Sequence, residues 1–187
     1  TALLVSFGHW TFERNFAWMS EGTLWKDAAA KSPDEFRPHH NLGVYYQHRG
    51  YIHEAISEFR KALVSPRFSR KNEAIITYYH LGKAYQELGE FGQAKHFYED
   101  ALRINPNLSP VFGNLAVVYS LEGNESLAED YLGKALKVDA DDPYVNFNVG
   151  LACLRANRTD EAIHHLTKAA KASRTEGRAL LYLGIAY

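Results

Sequence analysis

The stretch YYHLGKAYQELGEFGQAKHFYEDALRINP, Tyr78 to Pro106, decides the fold. Small residues at Gly82 and Ala94 let two antiparallel helices approach closely. Tyr85 and Tyr98 fill the space between that pair and the next one. Gly89 is free to take the left-handed conformation that ends a helix. The stretch therefore reads as helix, tight turn, helix. Such a unit cannot bury its apolar face alone, so neighbours must stack.

The same features recur along the chain. Leu42-Gly43, Leu81-Gly82, Leu115-Ala116, Val149-Gly150 and Leu183-Gly184 form one column, spaced by 34 residues from Gly82 onward and by 39 in the first interval. Tyr46, Tyr85, Tyr119, Cys153 and Tyr187 form a second column with the same intervals. Ala55, Ala94, Ala128 and Ala162 form a third; Ala62, Ala101, Ala135 and Ala169 a fourth; Phe59, Tyr98, Leu132 and Leu166 a fifth, always large. Gly50, Gly89, Gly123 and Asn157 fall in the turns.

The 34-residue period and these residues resemble the tetratricopeptide repeat family over roughly residues 36–187. The best-matching unit carries Tyr78, Leu81, Gly82, Tyr85, Ala94, Tyr98, Ala101 and Pro106. The resemblance implies an all-α fold, a right-handed superhelix (α-solenoid) of antiparallel helix pairs. The repeats fall at about 36–74, 75–108, 109–142 and 143–176, with a partial one at 177–187. The insertion VSPRFSRKNEA, residues 64–74, is read as extra turns or a lengthened helix. The fold is a scaffold for many partners and names none.

Composition narrows the function classes. Of 187 residues 23% are charged and the formal net charge is −1, which provides no field for nucleic acid or anionic lipid. The basic cluster Arg67, Arg70 and Lys71 reads as a solvated turn. A single cysteine excludes an internal disulfide framework. The sequence starts at Thr1 and breaks off inside a repeat, so it reads as part of a longer protein, and missing targeting signals mean little.

Residues 1–35 are a separate N-terminal region. SEGTLWKDAAAKSP, residues 20–33, reads as the second helix of a degenerate repeat, with Ser20 as N-cap, Trp25 and Ala28 in the large and small columns, and Pro33 closing it. TALLVSFGHWTFERNFAW, residues 1–18, is too short and interrupted to span a bilayer alone. It reads either as a capping helix or by resemblance. Arg14-Asn15, Trp18, Leu24-Trp25-Lys26-Asp27, Lys31-Ser32-Pro33 and Asn41-Leu42-Gly43 resemble the junction in multispanning, mannosyltransferase-like proteins with an extracytoplasmic tetratricopeptide domain. That resemblance implies membrane attachment upstream of residue 1 and an extracytoplasmic or periplasmic location. Without it the expectation is cytoplasmic.

No catalytic, metal or cofactor site is expected. Adjacent residues on a helix point about 100° apart, so neither His39-His40 nor His164-His165 chelates one ion, and the histidines read as solvated. Cys153 occupies the tyrosine column and reads as buried packing. The glycines lack phosphate-loop spacing. Carboxylates such as Asp160-Glu161 read as helix-start charges.

The polar residues fit partner binding better. In the family resembled, the first helix of each repeat lines the concave groove, and the residue before the Leu-Gly pair points into it. Those residues are Asn41, His80, Asn114, Asn148 and Tyr182. Amides offer both donor and acceptor to an extended peptide. The row resembles the asparagine ladder of O-linked N-acetylglucosamine transferases. Arg37, His40, Tyr79, Lys83, Tyr144, Phe147, Leu151 and Arg178 add aromatic and cationic groups. A clamp for acidic chaperone tails is not expected, because Val44, Gly113, Val117 and Pro110 stand at the matching places. Two readings stay open. One is a non-catalytic scaffold that binds a protein or extended peptide in its groove. The other is a substrate-presenting extracytoplasmic domain of a membrane-bound glycosyltransferase-like protein. Oligomeric state is left open.

Overall fold

The computed structural model describes residues 21–65, 71–172 and 176–186. They form ten α-helices and no strand: α1 Glu21–Lys31, α2 Phe36–His48, α3 Ile52–Val64, α4 Lys71–Glu87, α5 Phe91–Ile104, α6 Ser109–Leu121, α7 Glu125–Val138, α8 Pro143–Arg155, α9 Thr159–Ala169 and α10 Glu176–Ala186. The chain divides into two compact units, residues 1–90 and 91–187. In the first, α2 packs on α1, α3 and α4, and α3 packs on α4. In the second, each helix from α5 to α10 packs on the next, and α8 also packs on α6 and α10. Segment 1–18, Ser20 and Arg67 and Arg70 of the basic cluster lie outside the described residues.

Four turns end in the same way. Gly50, Gly89, Gly123 and Asn157 have φ of 79°, 75°, 80° and 56°. In each, two backbone N–H groups fold back onto the preceding turn: Gly123 N to Ser120 O at 3.0 Å and Asn124 N to Tyr119 O at 2.8 Å, for example. This paired bonding satisfies carbonyls that a helix end leaves open and reverses the chain within three residues. At the start of α8, Asp142 accepts from the N–H groups of Tyr144 (2.8 Å) and Val145 (3.1 Å) ahead of Pro143.

The helix pairs close on the small columns. All eight alanines of the two alanine columns are at most 1% exposed. A Cβ at Gly43 would lie 2.6 Å from the Phe59 ring, and one at Gly150 would lie 2.7 Å from Leu166 Cγ. Phe59 and Leu166 thus occupy the volume that glycine leaves. Cys153 sits in the core with Val149 and Ala162, and burial pushes its thiol pKa up.

The insertion takes the lengthened-helix form, and one expectation for α1 changes in detail. The insertion after Val64 adds one turn to the N-terminus of α4, which has 17 residues where α2, α6 and α8 have 13. In α1 the buried positions are Gly22 and Ala29, with Trp25 and Ala28 only partly buried. The cause is local: the Tyr45 ring lies where a Cβ at Gly22 would stand, so the glycine face must turn toward α2.

The glycine column yields a paired prediction. Gly150→Ala should cost about 1–3 kcal/mol, because Leu166 must move. Gly184→Ala, at a site with nothing within 4 Å among the described residues, should stabilise by up to about 1 kcal/mol through helix propensity. Urea unfolding of both variants reads the sign; equal shifts would contradict the register.

Candidate peptide-binding face

In the first unit, α2 and α4 bring His40 and His80 together over Phe59. His40 stacks on Phe36, with centroids 5.3 Å apart and planes at 19°, and meets His80 edge-on at 5.6 Å. His80 stacks on Phe59 at 5.4 Å and 23°, and touches Tyr79 edge-on at 5.5 Å. Polar atoms are placed from behind. Thr77 donates its hydroxyl proton to Glu73 O at 2.9 Å, so His40 Nδ1 is the donor in its 3.0 Å bond to Thr77 Oγ1. His80 Nδ1 donates to Gln47 Oε1 at 3.0 Å, and Gln47 Nε2 donates to Glu87 Oε1 at 3.2 Å. Asn41 and Lys83 are half-buried beside them, and Arg37 is exposed with Nε 4.0 Å from Glu73.

Burial lowers the His40 pKa to about 4. Burial, then the charges of His40, Lys83 and His48, lower that of His80 to about 3. At neutral pH both rings are uncharged. They act as flat aromatic surface with one fixed N–H, and the cations of this face are Arg37 and Lys83.

In the second unit, α6 supplies Asn114, α8 supplies Tyr144, Phe147, Asn148 and Leu151, and α10 supplies Arg178. Asn114 is 6% exposed and Asn148 9%. The amide nitrogen of Asn114 is buried without a hydrogen-bond partner. Gly113 beside it is buried too, and a Cβ added there would stand at ordinary contact distance, 3.5 Å, from Asn148 Nδ2. Phe147 belongs to the core, 2% exposed among Leu166, Ala169 and Ala179. The Arg178 guanidinium covers its ring at 4.7 Å, and Tyr182 meets it edge-on at 5.8 Å. Tyr144 and Leu151 are half-buried. The residues singled out in the sequence thus divide between the two units.

Several histidines differ from the solvated reading. His39 is buried: Nδ1 lies 2.6 Å from Glu58 Oε2 and Nε2 3.0 Å from Pro33 O, while Lys61 holds the other Glu58 oxygen at 2.6 Å. His165 is half-buried, its Nδ1 2.9 Å from Oδ1 of the fully buried Asn146, and burial lowers its pKa. Both tie a first helix to its second helix. A cleft of about 620 Å³ beside His39 is lined by α1, α2 and the end of α3, including Lys26, Pro33 and Lys61. Its buried polar side chains, His39 and Glu58, already pair with each other. Among the described residues no three His, Cys, Asp or Glu side chains gather around a metal position. No helix there is long and apolar enough to cross a membrane.

Residues 34–107 and 122–176 each match a tetratricopeptide repeat model. The chain belongs to the tetratricopeptide repeat (TPR) family. As a TPR domain it is a non-catalytic, helical scaffold for protein interaction. It is similar to the TPR protein TTC0263 of Thermus thermophilus, at TM-score 0.68 and 22% identity over 98% of this chain and 96% of that one. It is also similar to YrrB, described as a TPR protein with an unusual peptide-binding site, at TM-score 0.57 and 21% identity over 87% and 81%. Among curated proteins, human protein O-mannosyl-transferase TMTC2 is 29% identical over 100 residues, 54% of this chain. The match spans 12% of that protein's length.

Sequence periodicity placed the first-helix residues of this TPR domain. It missed the groups that hold them, Thr77 and Gln47, polar residues on buried faces.

The two lowered histidine pKa values carry a stability signature. A histidine whose pKa is depressed in the folded state binds fewer protons there than in the unfolded chain. Its contribution is fully present above the unfolded value, near 6.5, and is lost as pH falls toward 4 for His40 and 3 for His80. Between pH 7 and pH 4.5 this should remove on the order of a few kcal/mol, at about 1.4 kcal/mol per pKa unit less solvent screening. Replacing His40 and His80 by Asn should flatten the dependence of urea midpoint on pH in that window.

Proposed function

We propose that this TPR domain binds an extended polypeptide segment along its first helices, with amide donors meeting peptide carbonyl oxygens. The observation that carries the reading is Asn114. Its amide nitrogen is buried without an acceptor. Leaving such a donor unsatisfied costs about 1–3 kcal/mol, a penalty that an incoming acceptor relieves. Asn148 packs nearby, its Nδ2 3.5 Å from where a Cβ on Gly113 would stand. In the other unit Asn41 takes the corresponding place, with the neutral His80 ring as flat apolar surface and the Arg37 and Lys83 charges at its margin. Tyr144, Leu151 and Arg178 give the second unit aromatic, aliphatic and cationic contacts. The similarity to a TPR protein with a peptide-binding site supports this class of ligand.

A second reading rests on the TMTC2 similarity. In it the domain lies outside the cytoplasm, follows membrane spans upstream of residue 1, and presents polypeptide to a glycosyltransferase-like partner region. The encoded protein upstream of Thr1 discriminates: a series of membrane spans there supports this reading, and their absence leaves a cytoplasmic scaffold.

Peptide display against the chain should yield extended binders. Replacing Asn41, Asn114 and Asn148 together by Ala should then weaken the selected peptides strongly, each single change by about two- to tenfold for bonds of about 0.5–1.5 kcal/mol. Stability should respond differently. Asn114→Ala deletes an unsatisfied donor, so the urea midpoint should hold or rise while affinity falls. A well-folded triple variant that binds as the parent does would eliminate the amide row.

A further inference from the structure

We infer that His80 is a specificity-determining hydrogen-bond acceptor of the first-helix face, and that with Lys83 it selects amide N–H and C=O groups of the bound segment over a carboxylate. The inference rests on the peptide-binding reading above and adds what the segment must bring to the first unit. It starts from where the proton sits on each imidazole. As a carboxylate, Glu87 only accepts, so the Gln47 amide turns its nitrogen to Glu87 Oε1 at 3.2 Å and its oxygen to His80 Nδ1 at 3.0 Å. His80 Nδ1 must then carry the proton, and its Nε2 presents a lone pair. His40 is set in the same sense by different groups. Thr77 donates to Glu73 O, so His40 Nδ1 carries the proton and its Nε2 is bare. Neither Nε2 has a hydrogen-bond partner among the described residues, and neither is sealed from solvent as Asn114 Nδ2 is.

The surroundings decide which donor fits. Lys83 follows His80 by three residues on α4, so the two side chains are neighbours on the helix surface. After burial and the His40 charge, the Lys83 ammonium is the next group that holds the His80 pKa down. Lys83 is half-buried and makes no ion pair among the described residues. Arg37 is a second cation on this face, with its Nε 4.0 Å from Glu73. A cationic donor is therefore repelled from His80 Nε2. A carboxylate satisfies Lys83 but sets its oxygens against the His80 lone pair. The group that serves both carries N–H and C=O side by side, the N–H on His80 Nε2 and the oxygen on Lys83 Nζ. An Asn or Gln side chain does so. So does one residue of an extended segment, whose N–H and C=O point to the same side.

The first test needs no ligand. NMR of the nitrogen-labelled imidazoles at neutral pH, with His80→Phe to assign the signals, should show His80 protonated at Nδ1 and bare at Nε2. Glu87→Gln, at an exposed position, frees the Gln47 amide to turn and should move proton occupancy toward Nε2. The second test alters peptides selected by display on the chain, one group at a time: Asn or Gln to Asp or Glu, and each backbone N–H to N-methyl. At one position the change should weaken binding about two- to tenfold in the parent. The loss should be much smaller in His80→Phe, which keeps a ring to stack on Phe59 but has no acceptor, and reduced in Glu87→Gln. The two kinds of change tell a side-chain amide from a backbone one. A proton on His80 Nε2 in the parent would overturn the inference without reference to any peptide. Peptides that bind with no position coupled to His80, or that bind tighter with Asp than with Asn at the coupled position, would overturn it and leave the peptide reading standing. Failure of display to yield any extended binder would overturn both.

Discussion

Two of the helix pairs close on the space left by a missing side chain. Phe59 and Leu166 stand where a Cβ on Gly43 or Gly150 would be, and the alanine columns beside them are sealed from solvent. Close approach brings the backbones of paired helices into contact range and lets one large residue fill the gap, which maximises dispersion contact and excludes water. Where the column holds Ala116 in place of glycine, the facing Leu132 is the least buried of the four large residues, at 6% exposure, consistent with a methyl group holding that pair slightly apart.

Because that spacing is fixed, polar groups between helices must match one another rather than find water. This explains the variety in the column that runs through His39, Phe112 and Asn146. The position is constant, but it accepts an imidazole–carboxylate hydrogen bond, two rings or an amide–imidazole bond, provided that both partners change together. Asn146 meets the demand fully, with Nδ2 on the carbonyls of Ala140 and Asp142 and Oδ1 on His165. Asn114, on the first-helix face, does not.

The fold was legible in the sequence because its constraints repeat. A left-handed turn residue, a small residue at a crossing and a large residue opposite it each recur at one spacing. The pairings were not legible for the same reason. His39 and His165 sit beside other histidines in sequence, but their partners are 19 residues away on another helix, and no periodic count distinguishes a bonded imidazole from a solvated one. The rotated face of α1 was likewise hidden, since it follows from a single ring, Tyr45, lying over Gly22. For the candidate site, the positions of the asparagines were readable from their column, whereas the burial that makes Asn114 a strong donor was not.

The physics of the proposed surface bears on how a scaffold of this kind selects partners. The first-helix face offers fixed donors and flat rings. An extended segment brings carbonyl groups already free of secondary structure, so its affinity rests on several weak directional bonds and its specificity on register. The glycine column serves a different purpose: at Gly43 and Gly150 it is covered by Phe59 and Leu166 and fixes the spacing of the helix pairs that carry this face.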